Sequence, residues 1–544
     1  MKTIKIGLAG IYTIVLLGSG CTSSLRPDSI PGESRLDARA TGAELASAQE
    51  KLVLNWFVHG ANSASLPSRD KDFVRQAIER KFNVELNVEH MQMSNDYTNR
   101  LNLRLAGSKA PDLFMVDGGV SNKYIMDRVA MDLTELVTPQ TMPNYFKYWI
   151  TETELKRYQV QDMFRRAPVP YPKRAYISYY VRKDWLDKLG LPIPKTYEDM
   201  IETMKAFTFK DPDGNGKQDT YGFTTAGSGY SVPIVFPEFY KNGIYGGLML
   251  DDDMFVDGTT DPRIEQVFTD LLETLRLGVI DKDWFLQKSG EDINKAVQGK
   301  VGIVISGGAM AAYDHATWSI QYRTKEVLRQ AGKPEEAAKV DWQPFHPWAD
   351  TGVATTTLPG APFLFSSKTT VEKAKRSIQI LDWLASEEGF MLTRFGIEGV
   401  HYTRDGKKIT IDPVATKRDI ADNGYFLAVY GFFSQGDVQT LGLEVFQPDE
   451  TERDRKIFEK ISSYVFKPSI GTNVAPPTGL DISSFRKEMW RYQARVLFED
   501  KSAANWPKYR QELMTTHRGK DIFEAYARQM SEAFGRTIGF RAEP

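Results

Sequence analysis

A single cysteine, Cys21, serves all 544 residues, so no disulfide within the chain can staple its fold. Excess charge is missing too: 69 Lys and Arg stand against 71 Asp and Glu, and a net charge of −2 gives no field for nucleic acid. The chain holds no HExxH, CxxC, P-loop or GxSxG, and GSGYS at 227–231 has the wrong order for a nucleophile elbow. Its apolar run at 6–17 is too short to span a bilayer comfortably. Repeats of 20–50 residues are absent, as is low complexity beyond the stretch at 22–51. What remains is a chain of ordinary globular composition, long enough for more than one core, since single cores stop growing near ~250–300 residues.

The first twenty residues are a different material. Lys2 and Lys5 precede the apolar stretch at 6–17, and GSGC then ends at Cys21, the pattern of a signal peptide over 1–20. Cleavage before Cys21 and diacylglycerol attachment to its sulfur would explain a lone cysteine in a secreted chain. Gly18 stands where a lipobox usually has Leu, and an ordinary signal peptide with an incidental cysteine is the plain alternative. Two acyl chains would hold the protein at the membrane, with residues 21–50 as a flexible tether.

The most specific stretch is DPDGNGKQDTYG at 211–222. Asp211, Asp213, Asn215 and Asp219 place side-chain oxygens at alternate positions, and Gly214 and Gly216 permit a tight curl. Such a loop suits Ca²⁺ in a structural role, held by those four side chains and the Lys217 carbonyl. It departs from an EF-hand at its twelfth position, Gly222, where a bidentate Glu is expected. A metal-free polar turn is the alternative.

Periodicity organises the rest. A buried strand is expected at 52–58, an alternating one at 84–91 and a third at 112–117, with helices within 70–82 and at 97–107 between them, a β-α-β-α-β unit with a mainly parallel sheet. A second unit begins near 168–172, with further helices at 197–207, 264–278 and 293–300 and a strand at 301–306. Ligands in open α/β sheets bind beyond the carboxyl ends of strands, which draws attention to Trp56 and Asp117. A sugar site wants aromatic platforms with hydrogen-bonding neighbours, and Tyr230, Trp318 and Trp348 sit in loops or at element ends, with His346 beside the last. For each aromatic, a core or surface role is the alternative. Glu398 and His401 in GIEGVHY could be read as an acid and a base, but no nucleophile motif flanks them, and a packing or hinge role fits better.

Five blocks in order carry a family likeness: APDLFMVD from 110, YYVRKDWLDKLGLPIPKTYEDM with the acidic loop after it, GKVGIVISGG from 299, LDWLASEEGFMLTRFGIEGVHYT from 381, and NWPKYRQELMTTHRGKDIFEAYARQMSEAF from 505. Together, over residues 50–540, the chain resembles the family 1 extracellular solute-binding lipoproteins of ABC importers, above all the long, calcium-containing oligosaccharide binders. The resemblance implies a two-lobed α/β fold of the periplasmic-binding-protein type (type II), each lobe a mainly parallel sheet flanked by helices. Lobe 1 would take 51–167 and 355–410, lobe 2 would take 168–354 with the calcium loop, and a helix-rich part at 411–544 would brace both. It implies a bacterial monomer, lipid-anchored at Cys21 on the outer face of the cell membrane. Such a protein captures an oligosaccharide with Trp56, Asp117, Tyr230, Trp318 and Trp348, delivers it to permease subunits, and catalyses nothing. A surface glycoside hydrolase or lyase, or a peptide-binding lipoprotein, are the alternatives.

Overall fold

The computed structural model describes residues 50–542, apart from 61–63, 94, 161–162, 172–176, 355–360, 435–436 and 468–473. The expected signal peptide, the tether up to residue 49 and Cys21 lie outside the described residues. No helix among those described is long and apolar enough to cross a membrane.

Two four-stranded sheets organise the chain. In order, their strands are β1 (Leu52–His59), β2 (Val84–Met91), β3 (Leu113–Met115), β4 (Ile177–Arg182), β5 (Tyr221–Phe223), β6 (Val301–Gly307), β7 (Trp342–Phe345) and β8 (Phe363–Phe365). The first sheet runs β8-β3-β1-β2 and the second β5-β6-β4-β7. Helices α1 (Phe73–Phe82) and α2 (Asn95–Ala106) connect the first three strands, and α3 (Gly118–Met126) leaves β3. Strand β1 is largely apolar, interrupted by Asn55 and ended by His59, because most of its length is covered on both faces. Leu54, Trp56 and Val58 enter one core and Phe57 another, so the run shows no period-2 alternation. Strands β1, β2 and β3 are mutually parallel, Leu52 opposite Val84 and Trp56 opposite Leu113, while β8 returns antiparallel with Phe363 opposite Met115.

The second sheet departs from the mainly parallel expectation. Strand β4 pairs antiparallel with both β6 and β7, and only β5 and β6 run together. Direction leaves no mark on strands buried from both sides: Tyr179 and Val181 enter one core and Tyr180 the other, the same apolar run a parallel strand would show.

Those directions bring particular ends together. Ile177 opens β4 opposite Gly307 at the end of β6, and β7 ends at Phe345, opposite Tyr179. The chain reaches this edge from Ala167, which bridges to Phe363 of the first sheet, and leaves it through Val353–Ala354, which pairs with Phe466–Lys467. In the first sheet, the start of β8 lies beside the end of β3. The segments linking the sheets therefore meet the carboxyl edge of the first and the 177/307/345 edge of the second. The C-terminal region divides between the cores: Tyr402–Ile411 and Phe426–Phe433 supply side chains to the first, and helices Ile482–Arg495, Trp506–Thr515 and α6 (Gly519–Phe534) to the second. Helices α4 (Tyr197–Phe209) and α5 (Val371–Ala385) cover the second and first sheets respectively.

Candidate functional site

The edge of the first sheet is polar. Asp117 follows β3 and caps α3, its carboxylate accepting the Gly119 N–H at 2.9 Å while remaining exposed. Beneath it Arg166 is fully buried. Its Nε donates to the Tyr158 carbonyl, and its Nη1 donates to the Gly118 carbonyl at 2.9 Å and to Asn122 Oδ1 at 3.0 Å. Burial lowers this guanidinium to about 10, against the pull of Tyr158 and Asp117. Asn122 passes the contact on, its amide reaching the Val474 carbonyl at 3.4 Å. A buried cation with every neighbour an acceptor holds the Gly118–Gly119 turn rigid under Asp117.

The edge of the second sheet is aromatic. His346 follows β7 and is 5% exposed, ringed by Tyr179 at 5.0 Å, Tyr240 at 4.7 Å and Tyr464 at 6.3 Å between centroids. Its Nδ1 accepts the Trp348 N–H at 3.3 Å, which places the ring proton on Nε2. That Nε2–H is buried and has no acceptor among the described residues. Burial pushes the imidazole down to about 3, so the ring is neutral at physiological pH. Trp348, half-buried, stacks on Tyr240 at 5.4 Å and 25°, and the Tyr240 hydroxyl accepts the Ala354 N–H where the chain departs for the first sheet.

The expected ligand aromatics separate into two groups. Trp56 belongs to the core: it is 1% exposed, its indole N–H donates to Ser377 Oγ, and Phe432 packs on its edge. It is therefore withdrawn from the ligand set, because β1 runs on to His59 and places Trp56 inside the strand, facing the core. Trp318 is 56% exposed on the stretch that follows β6, and Tyr230 is 51% exposed against Trp490. With Trp348 these leave three of the four aromatics at loops or element ends with exposed or half-buried rings. His401 is 1% exposed, accepts the Ile397 N–H through Nδ1 and stacks on Phe73, an arrangement of packing.

The acidic loop lies at the other end of the second sheet, leading into β5 at Tyr221, which pairs with the start of β6. Gly214 and Gly216 take the positive φ that the curl requires. Asp211 accepts the Asn215 and Gly216 N–H groups, and the Asn215 amide donates to Asp213 at 2.8 Å and to Asp219 at 3.0 Å. Burial raises the Asp213 carboxyl, and Asp211 and Asp219 add to the shift. The positive end of an amide dipole thus stands between two carboxylates, the chemistry a cation would satisfy, while Lys300 also holds Asp219 at 2.6 Å. Among the described residues no three His, Cys, Asp or Glu side chains are grouped closely enough to hold a metal by themselves. Gly222 explains the departure from an EF-hand. A Cβ there would lie 2.4 Å from Met204 Cα, so the strand is pressed against α4 and no Glu fits.

A family model for bacterial extracellular solute-binding proteins matches residues 74–393, more than half of the chain. The chain belongs to that family. The polygalacturonan/rhamnogalacturonan-binding protein YtcQ of Bacillus subtilis is 26% identical over 62% of this chain and 65% of its own. Matched stretches span 46 to 65% of the curated relatives' lengths. Among solved structures, an HMO-binding, ABC-transporter-associated solute-binding protein of Bifidobacterium longum infantis aligns with a TM-score of 0.65 at 17% identity, over 90% of this chain and all of its own. An EF-hand mutant of Streptococcus pneumoniae FusA, bound to fructo-nystose, aligns at 0.58 and 16% identity over 89% and 100%. These likenesses establish the two-lobed solute-binding fold.

In this solute-binding protein, sequence reasoning passed over Arg166 and Tyr240. A charged pair in FRRAPVP, beside the expected lobe boundary, was the available signal for Arg166. Tyr240, within a five-residue helix, carries no mark that separates it from other tyrosines.

Proposed function

We propose that this solute-binding protein is lipid-anchored through Cys21 on the outer face of a bacterial membrane, captures an oligosaccharide and delivers it to an ABC permease, acting as a monomer without catalysis. The observation that carries this reading is the pairing of two unlike sheet edges at the segments linking them. One edge offers Asp117 on a rigid turn, the other Trp348 stacked on Tyr240. Sugars present hydroxyls at the ring edge and weakly polar faces, and those edges answer both. Contacts made from both sheets exist only when the two approach, so ligand favours closure. Tyr230, set apart against Trp490, would extend the aromatic surface. YtcQ and FusA, named or solved as glycan binders, support the same ligand class.

Ca²⁺ would be held by the side chains of Asp211, Asp213, Asn215 and Asp219 and the Lys217 carbonyl. The ion would supply positive charge between carboxylates that otherwise crowd one another. The loop adjoins the end of the second sheet away from the linking segments, so the ion's part is structural.

Calorimetric titration against a glycan panel, followed by analysis of the recovered glycan, tests the reading. Saturable binding with intact glycan is expected, and small-angle scattering should show a more compact particle when bound. Shortened or unsaturated products in excess of protein would replace capture by hydrolysis or lyase chemistry. A peptide that binds where glycans do not would replace the ligand class. For the anchor, Cys21→Ser should release the protein from the membrane fraction.

A further inference from the structure

A second place in the molecule is built for charge rather than for aromatic stacking. A cavity of about 490 Å³ opens between the short helix Glu152–Lys156 and its exit, the 474–477 segment, and helix α6. Lys156, Arg157 and Arg528 line it, against a single carboxylate, Glu532. None of these three cations has an ion-pair partner among the described residues, and Arg157 differs in this from the other buried or half-buried arginines and lysines, most of which are paired. The Arg157 guanidinium carbon sits over the Phe534 ring, 4.3 Å from its centre, and its Nε–H is buried without an acceptor among the described residues. A guanidinium held against an aromatic face is already oriented for a planar, doubly accepting anion. The floor is also fixed. Gln529 of α6 bonds both the N–H and the carbonyl of Ala475 at 2.9 and 2.7 Å, and Val474 is tied through Asn122 to the turn beneath Asp117. Prolines, alanines and Met530 supply apolar wall between the charges.

Building on the capture of an oligosaccharide, we propose that this cavity is an acidic-sugar subsite, taking the carboxylate of a uronic acid unit between Arg157, Lys156 and Arg528. The apolar wall favours a sugar ring over a bare anion, and cations from two separate elements favour a ligand that extends between them. Because Asn122 and Val474 join the cavity to the Asp117 turn, a chain that starts at the sheet edges continues into it.

The test is titration of the intact protein with trigalacturonate, with its fully methyl-esterified form, with a neutral trisaccharide and with inorganic phosphate. Trigalacturonate should bind at least tenfold more tightly than its ester, and the preference should shrink as salt rises from 20 to 500 mM, since only charge separates the two. Lys156 and Arg528 are exposed, so the K156Q/R528Q variant should fold, with an unchanged melting curve as its control. It should bind trigalacturonate at least tenfold more weakly and the ester as before. Equal affinity for acid and ester in the wild type overturns the subsite, whether or not the variant folds, and leaves oligosaccharide capture standing if either binds. Phosphate displacing trigalacturonate at equal concentration overturns the sugar in favour of a free-anion site. Failure of every glycan, neutral or acidic, overturns the capture reading along with it.

Discussion

The edge of the first sheet and the edge of the second are organised by opposite physics. At the first, a buried cation is surrounded by acceptors, and directional hydrogen bonds hold a short turn in place. At the second, rings crowd a neutral histidine, and exclusion of water holds the cluster together. Polar networks fix geometry at a high penalty for any missing partner, whereas aromatic clusters tolerate change in proportion to the volume removed. A ligand that meets both finds a rigid hydrogen-bonding side and a broad, less directional one. That division suits a sugar better than a peptide backbone, which would ask for donors and acceptors from both sides.

The sharpest test of the aromatic edge uses acid. An imidazole held at about 3 in the fold and near 6.5 when unfolded means that the unfolded chain takes the proton first as pH falls. The stability contributed by the neutral ring is therefore complete above about pH 6.5 and drains away toward pH 3, by a total on the order of 5 kcal/mol. His346→Phe should flatten this part of the pH profile, read as the difference in urea midpoint between wild type and variant. Parallel profiles would break the account of the second edge.

At the polar edge, Arg166→Met should cost about 3–5 kcal/mol at all pH values, because carbonyls and the Asn122 amide oxygen lose their only buried cation. A loss below about 1 kcal/mol in urea unfolding would mean that packing, not charge, holds the Asp117 turn. The acidic loop offers a control remote from both edges. Calcium at one hundred times its dissociation constant should stabilise the protein by about 2.7 kcal/mol, and Asp213→Ala should abolish that gain while leaving ligand preference unchanged. A melting curve that ignores both EDTA and added calcium would remove the ion from the account. The smallest effect concerns Trp318, exposed in the free protein. Trp318→Ala should weaken glycan binding by about 1–2 kcal/mol and change stability by less than about 0.5 kcal/mol. The reverse pattern would make it a packing residue, as Trp56 is.

The pattern of residues carried much of this organisation. The strands expected at 52–58 and 84–91 appear as β1 and β2, extended or matched to within a residue, and the strand at 301–306 appears as β6. Short apolar runs at 52–58 and 301–306, and alternation at 84–91, are the two patterns that strands leave in a sequence. The helix expected at 197–207 appears as α4 at Tyr197–Phe209, begun by Thr196 accepting the Asp199 N–H. The acidic loop has the curl its spacing and glycines require. Less was legible at the candidate site. Trp56 lies within an apolar strand and Trp348 just after one, and only their neighbours separate a buried indole from one that stacks at an edge.

The sequence by itself determined the local matters: where strands and helices form, where the chain must curl with positive φ, and which segments are apolar on both faces. These depend on neighbours a few residues away. The tertiary structure alone decided strand direction in the second sheet, the burial of Trp56, the exclusion of Glu at position 222 and the gathering of Lys156, Arg157 and Arg528. Each of these rests on contact between residues far apart in the chain: Tyr179 with Phe345, Trp56 with Ser377, Gly222 with Met204, Arg157 with Phe534. Contacts of that kind follow from how whole elements pack, and no short window of residues contains them.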